Sequence, residues 1–215
     1  MGKIVLVTGG ARSGKSRFAE QYAARFGKKV AYIATAGVYD EEMAFRVKLH
    51  RERRPKDWHT WEAPEDAHLA IEEAGKAHDM ILFDCLTLYV SNLLCAWENV
   101  RDSAANYELI REKISLLLEA AKEQEGTTIF VTNEVGAGIV PENHLAREYR
   151  DITGIANQLT AREAAEVYVV SCGIAVDFKK LAVSWACAAA LKENTDQEQH
   201  TASLDRRNGF WRTTS

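Results

Sequence analysis

Residues 9–16 read GGARSGKS and fit the pattern G-x-x-x-x-G-K-[ST]. Gly9 and Gly14 permit a tight turn and close backbone approach, with Gly10, Ala11, Arg12 and Ser13 between them. Backbone N–H groups leading into a helix N-terminus cradle phosphate oxygens. Lys15 then reaches the β/γ oxygens, and Ser16 offers a hydroxyl to Mg2+. Asp84 is a second candidate, at the end of the apolar run MILFD. A carboxylate there either joins a Mg2+ site or caps the helix that follows. A third is VTNEVGAGIVPEN at 131–143, where Asn133 and Glu134 precede two glycines and a proline. It reads as a substrate loop, or as a plain connection turning at Gly136 and Gly138.

A different kind of signal lies at 43–58, MAFRVKLHRERRPKDW, with one histidine among six arginines and lysines. Arg46 and His50 are four apart, so on a helix they share a face. Arg53 and Arg54 follow before the chain turns at Pro55. A charge run of this kind is commonly a solvated helix face. The alternative is chemical. Neighbouring cations keep an imidazole neutral, a neutral imidazole attacks phosphorus, and the cations stabilise departing pyrophosphate. A metal site is disfavoured, since no further imidazoles, thiolates or carboxylates gather there in a ligating pattern.

These groups need a scaffold that brings them together. KIVLVT (3–8), KVAYIAT (29–35), MILFD (80–84), TTIFVT (127–132), EVYVVS (166–171) and IAVDFK (174–179) read as strands. Helices are expected at about 16–26, 40–52, 65–77, 86–97, 104–124 and 145–165. This alternation predicts an α/β fold with a mainly parallel central sheet and helices on both faces. The last two strands are candidates for an antiparallel edge pair turning at Cys172–Gly173. Beyond Lys180 the composition shifts. Residues 181–191 read as a short helix and 192–215 as a disordered tail, so the expected division is a domain over 1–180 and an extension over 181–215.

Composition narrows the class. The 215 residues are 47% hydrophobic and 27% charged, as in ordinary globular chains. A net charge of -4 argues against a general polyanion binder, so nucleic acid is not an expected partner. Four cysteines without C-x-x-C spacing fit a reduced, cytoplasmic chain. The longest apolar run, at 181–191, is about half of the ~20 residues a membrane-spanning helix needs.

Several segments together, in order, resemble one family: LVTGGARSGKS, YIATA, DEEMAFRVKLHRERRP, Trp61–Glu62, VTNEVGAGIVPENHLAREYRD and GIANQLTAREAAEVYVVSCGI. They cover about residues 3–180 and resemble the bifunctional adenosylcobinamide kinase/adenosylcobinamide-phosphate guanylyltransferases of cobalamin biosynthesis. The resemblance implies a RecA-like P-loop NTPase domain. It implies phosphorylation of adenosylcobinamide by ATP or GTP, then GMP transfer from GTP to the phosphate through a guanylyl-histidine. Adenosylcobinamide-GDP and pyrophosphate are the implied products. The guanylylated residue falls on His50, preceded here by Leu49 where some members carry a second histidine. Implied nucleotide contacts fall on residues 9–16, Thr35, Ala36, Gly37, Arg53, Arg54, Glu62 and Asp84, with Ser16 and Asp84 toward Mg2+. Asp84 stands where some members carry glutamate. A homo-oligomer is implied, since some members are trimers.

Other readings of the same residues are a kinase that has lost the transfer step, a GTP-dependent switch, and a nucleic-acid ATPase. The presence of His50 weighs against the first and the acidic balance against the last.

Overall fold

A computed structural model of the chain describes residues 1–37, 55–96 and 103–183. The chain divides into one unit over Met1–Lys179 and another from Lys180. The expected basic helix at 40–52 lies outside the described residues, as does the extension from 184 onward.

The strands are Lys3–Thr8 (β1), Val30–Ala34 (β2), His59–Glu62 (β3), Met80–Asp84 (β4), Thr127–Val131 (β5), Glu166–Ser171 (β6) and Ile174–Asp177 (β7). The helices are Lys15–Phe26 (α1), Ala67–Gly75 (α2), Leu86–Ala96 (α3), Ser103–Glu123 (α4), His144–Glu163 (α5) and the short Phe178–Leu181 (α6). One seven-stranded sheet results, ordered β3-β2-β4-β5-β1-β6-β7. Neighbours run parallel except β6 and β7, which pair antiparallel as expected at the edge.

The central strands β1, β2, β4 and β5 each carry a continuous apolar run because both of their faces are covered. In β1, Ile4 and Leu6 enter one core cluster while Val5 and Val7 enter the other. The first cluster takes Ile71 of α2, Leu86 and Tyr89 of α3, Ile110 and Ile114 of α4, and Ile152 and Ala156 of α5. The second takes Ala19 and Ala23 of α1. So the helix after β1 and the helix after β5 pack on opposite faces, although those two strands are neighbours. Loops leaving adjacent strands in opposite directions open a crevice at the carboxyl edge, where open α/β sheets bind ligands.

Two expectations change. β3 has no apolar run in HTWE, and most of it is exposed; it is recruited by pairing with β2 rather than by burial. The last strand stops at Asp177 instead of continuing to 179. There the Asp177 carboxylate accepts the Lys179 N–H at 3.1 Å, a local turn that begins α6.

At the opposite edge from the crevice, β6 is tied to β1 and α1 by a polar cluster. Glu166 accepts from Lys3 Nζ at 2.5 Å, Tyr22 Oη at 2.8 Å and Tyr168 Oη at 3.1 Å. Burial opposes the charge on Glu166, but these donors outweigh it and hold its carboxyl below the ordinary range.

Two stability measurements follow. Phe83 is fully buried, its ring 5.1 Å from Phe130 and 5.9 Å from Tyr89, so Phe83→Ala should cost about 3–5 kcal/mol in urea unfolding. Because the folded pKa of Glu166 is depressed, its contribution is present above the ordinary carboxylate value of 4.5 and is lost as pH falls through the lower folded value. Glu166→Gln should therefore lower the urea midpoint at neutral pH. The gap to the wild type should close as the solution is acidified below 4.5.

Candidate functional site

The carboxyl edge is aligned by register. Glu62 pairs with Ala34, Ala34 with Asp84, Asp84 with Val131, and Val131 with Val7. One row of the sheet thus ends Glu62, Asp84 and the strand that feeds the phosphate loop at the same level. At about 4.8 Å per strand, Asp84 stands about 10 Å from β1 across β5.

The loop Gly9–Gly14 is built on close approaches that exclude side chains. A Cβ on Gly9 would fall 2.3 Å from the Val170 carbonyl oxygen and 2.7 Å from Ser13 Oγ. Gly14 has φ 97°, the left-handed region, and a Cβ there would lie 3.1 Å from Gly173 Cα. The loop is held from both sides. On one, the β1–β5 ladder runs on past the strands, with Thr132 N–H to the Val7 carbonyl at 3.0 Å and Glu134 N–H to the Gly9 carbonyl at 3.1 Å. On the other, the turn between β6 and β7 donates Gly173 N–H to the Ser13 carbonyl at 2.8 Å.

Lys15 opens α1 and is buried, its Nζ donating to the Gly10 carbonyl at 3.2 Å. Burial lowers its pKa, opposed by Cys85 and Asp84. A buried cation with so few partners is suited to an anionic ligand. Ser13 Oγ and Thr8 Oγ1 are buried hydroxyls with no hydrogen-bond partner among the described residues. Ser16 follows Lys15 in the first turn of α1.

Asp84 receives a hydrogen bond from Tyr32 Oη at 2.8 Å. Its carboxylate is thus held laterally, from β2, and makes no hydrogen bond to the first turn of α3 among the described residues. That favours the ligand role over the cap. Cys85 beside it is inert: burial, then the charge of Asp84, pushes its thiol up to about 11. Among the described residues no group of three His, Cys, Asp or Glu gathers to hold a metal by itself. One carboxylate and one hydroxyl with substrate phosphates is the donor set Mg2+ uses, so Asp84 and Ser16 fit that ion.

Thr35 is fully buried, and its hydroxyl is committed to Cys85, accepting from its N–H and donating to its carbonyl, both at 2.8 Å. Asn92 of α3 donates to the Thr35 carbonyl at 2.7 Å and the Pro64 carbonyl at 3.0 Å. These bonds anchor Thr35, and with it the start of the segment Ala36–Gly37, to α3 and to the end of β4. Glu62 is exposed at the end of the edge strand β3. His50, Arg53 and Arg54 lie outside the described residues.

The segment 132–143 is wired into the edge. Thr132 Oγ1 donates to Asn157 Oδ1 at 2.7 Å, Asn157 Nδ2 to the Asn133 carbonyl at 3.1 Å, and Asn133 Nδ2 to Thr87 Oγ1 at 3.1 Å. Arg150 donates to the Gly136 carbonyl at 2.5 Å, and Arg147 to the carbonyls of Pro141 and Glu142 at 3.0 and 2.5 Å. Asn143 caps α5 through the Ala146 N–H at 3.0 Å. Sequence reasoning alone missed Tyr32, Asn92, Asn157, Arg147, Arg150 and Gly173, because their partners are distant in the chain. Only Gly173 carried a signal, as a glycine between two apolar runs.

Among the described residues no helix is long and apolar enough to cross a membrane. A family model described as cobinamide kinase / cobinamide phosphate guanyltransferase matches residues 5–178. The bifunctional adenosylcobalamin biosynthesis protein CobU of Salmonella typhimurium is 43% identical over 181 residues, 82% of this chain and 99% of that protein. The bifunctional adenosylcobalamin biosynthesis protein CobP of Pseudomonas aeruginosa is 40% identical over 174 residues, 81% of this chain and 96% of that one. The crystal structure of the RadB recombinase aligns with TM-score 0.43 and 18% identity, covering 78% of this chain and 73% of that chain. With a phosphate loop at the crevice, a carboxylate level with it, and these matches along nearly the whole described chain, the protein belongs to the cobinamide kinase / cobinamide phosphate guanyltransferase family.

Proposed function

We propose that this chain phosphorylates the hydroxyl of adenosylcobinamide with ATP or GTP and then places GMP from GTP on that phosphate. The observation that carries the reading is the loop 9–16, braced at the sheet's crevice beside Asp84, in a chain that matches its family over residues 5–178.

In the kinase step the loop N–H groups and Lys15 hold the β/γ-phosphates, and α1 adds its positive N-terminus. Ser16 and Asp84 would hold Mg2+ together with the substrate phosphates, and the ion would supply charge neutralisation. Tyr32 fixes the Asp84 carboxylate, and Asn92 with Thr35 fixes the backbone leading to Gly37. Residues 9–16, Thr35–Gly37, Arg53, Arg54, Glu62 and Asp84 are the nucleotide contacts of this reading.

For the transfer step we assign His50 as the nucleophile. Its imidazole nitrogen bonds to the α-phosphorus of GTP and pyrophosphate leaves with the electron pair of the broken bond. The phosphate of adenosylcobinamide phosphate then displaces the imidazole and forms adenosylcobinamide-GDP. Arg53 and Arg54 would stabilise the pyrophosphate. The same reading takes 1–180 as the catalytic domain and 181–215 as an extension. It takes the enzyme as a cytoplasmic homo-oligomer without a nucleic-acid partner.

Label from α-labelled GTP should stay on the denatured protein, acid-labile and base-stable, and label from γ-labelled GTP should not. His50→Ala should abolish retention. No retained α-label in folded, GTP-binding protein would remove the covalent step. Separately, Lys15→Ala should lower the kinase kcat/KM by about 100-fold or more, the scale of losing a donor preorganised on developing charge. A steady-state assay with γ-labelled ATP and adenosylcobinamide measures this.

A further inference from the structure

The kinase step leaves one proton to be placed. As the acceptor hydroxyl oxygen attacks the γ-phosphorus, its O–H bond breaks, and a base within hydrogen-bond reach takes the proton. Among the described residues Glu62 and Asp84 end β3 and β4, and Glu134 stands just past the end of β5. Glu62 ends β3, four strand places from β1, which is about 19 Å at about 4.8 Å per strand. Asp84 accepts from Tyr32 and is the carboxylate that fits Mg2+, a role that competes with taking a proton.

Glu134 lies against the phosphate loop itself. Its N–H donates to the Gly9 carbonyl at 3.1 Å, and the next carbonyl, of Gly10, receives Lys15 Nζ at 3.2 Å. The residue therefore starts beside the group that holds the transferring phosphates. It belongs to β5's outgoing loop, on the other side of the crevice from the helix that follows the phosphate loop. An acceptor entering between the two loops would have the phosphate loop on one side and the loop that begins at Glu134 on the other.

The side chain is also set for the task. Glu134 is exposed, its Oε1 accepts the Gly136 N–H at 2.7 Å, and Oε2 makes no hydrogen bond among the described residues. The loop behind it is fixed by Arg150 on Gly136 and by Arg147 on Pro141 and Glu142. Farther along, Ile139 is 97% exposed and Val140 62% exposed, apolar surface on a pinned loop that a large ring-bearing acceptor would cover.

We infer that Glu134 is the general base of the kinase step, with 134–141 as the loop that receives the acceptor. The hydroxyl oxygen bonds to the γ-phosphorus, and its proton goes to the Glu134 carboxylate. The bond from the γ-phosphorus to the β–γ bridging oxygen breaks, and its electron pair leaves with the nucleoside diphosphate. This rests on the kinase reading above.

The test compares wild type, Glu134→Gln and Glu134→Asp with ATP, Mg2+ and adenosylcobinamide, alongside ATP titration and thermal melting. Glu134→Gln keeps an acceptor for the Gly136 N–H, so the loop should hold. Its kcat should fall about 100-fold or more while its ATP dissociation constant stays that of the wild type. Glu134→Asp should recover part of the rate, having a carboxylate of shorter reach. A smaller fall in Glu134→Gln, or a loss of ATP affinity in step with kcat, overturns the assignment. If Glu134→Gln fails to fold, Glu134→Asp decides: a rate no better than that of a carboxylate-free Glu134→Ala overturns it. If the wild type itself transfers no phosphate to adenosylcobinamide, the kinase reading is what fails.

Discussion

The hydrogen-bond ladder between β1 and β5 does not stop where the strands stop. It continues through Thr132 to Val7 and Glu134 to Gly9, so the first residue of the phosphate loop is held as if it were still in the sheet. Most of the site depends on that extension. A loop rich in glycine loses much conformational entropy when ordered, and a free loop would pay this on binding phosphate. Here the ladder on one side and the Gly173 N–H on the other order it beforehand. The glycines are the consequence: Gly9 sits so close to Val170, and Gly14 to Gly173, that a side chain would push the supports away.

A second constraint acts along the edge. Buried polar groups are costly unless bonded, and the edge contains buried Thr35, Thr87, Asn92 and Thr132. Their bonds run from strand end to strand end and on to α3 and α5, so that satisfying each group also fixes its neighbour. Tyr32 holding Asp84 is part of the same arrangement. The core beneath keeps the strands at one level, and the register then sets Glu62, Asp84 and the phosphate loop in a common row.

The two faces divide the work. α1 carries the phosphate loop's helix on one side, while α5 anchors the segment 132–143 on the other through Asn157, Arg147 and Arg150. The crevice between them exists because neighbouring strands send their chains to opposite faces. A fold of this kind can bring a nucleotide and a second substrate to one line without either loop crossing the other.

The amino-acid sequence by itself determined the strand–helix alternation, the phosphate loop and the family. These depend on local periodicity, on fixed spacing, and on ordered strings such as VTNEVGAGIVPEN, all readable without knowing what touches what. The strand β3 was not legible, because HTWE is held by pairing with β2 and has no burial pattern of its own. Nor was the end of β7, decided by one Asp177 side chain bonding two residues on. That Asp84 is held by Tyr32, 52 positions away, could not be read from the sequence. That the Thr35 hydroxyl is bonded to Cys85, 50 positions away, was likewise not readable from spacing. Strand order, register and long-range hydrogen bonds were decided only by the tertiary structure. They follow from which surfaces meet in space, and residue spacing along a chain does not encode that one pair at a time.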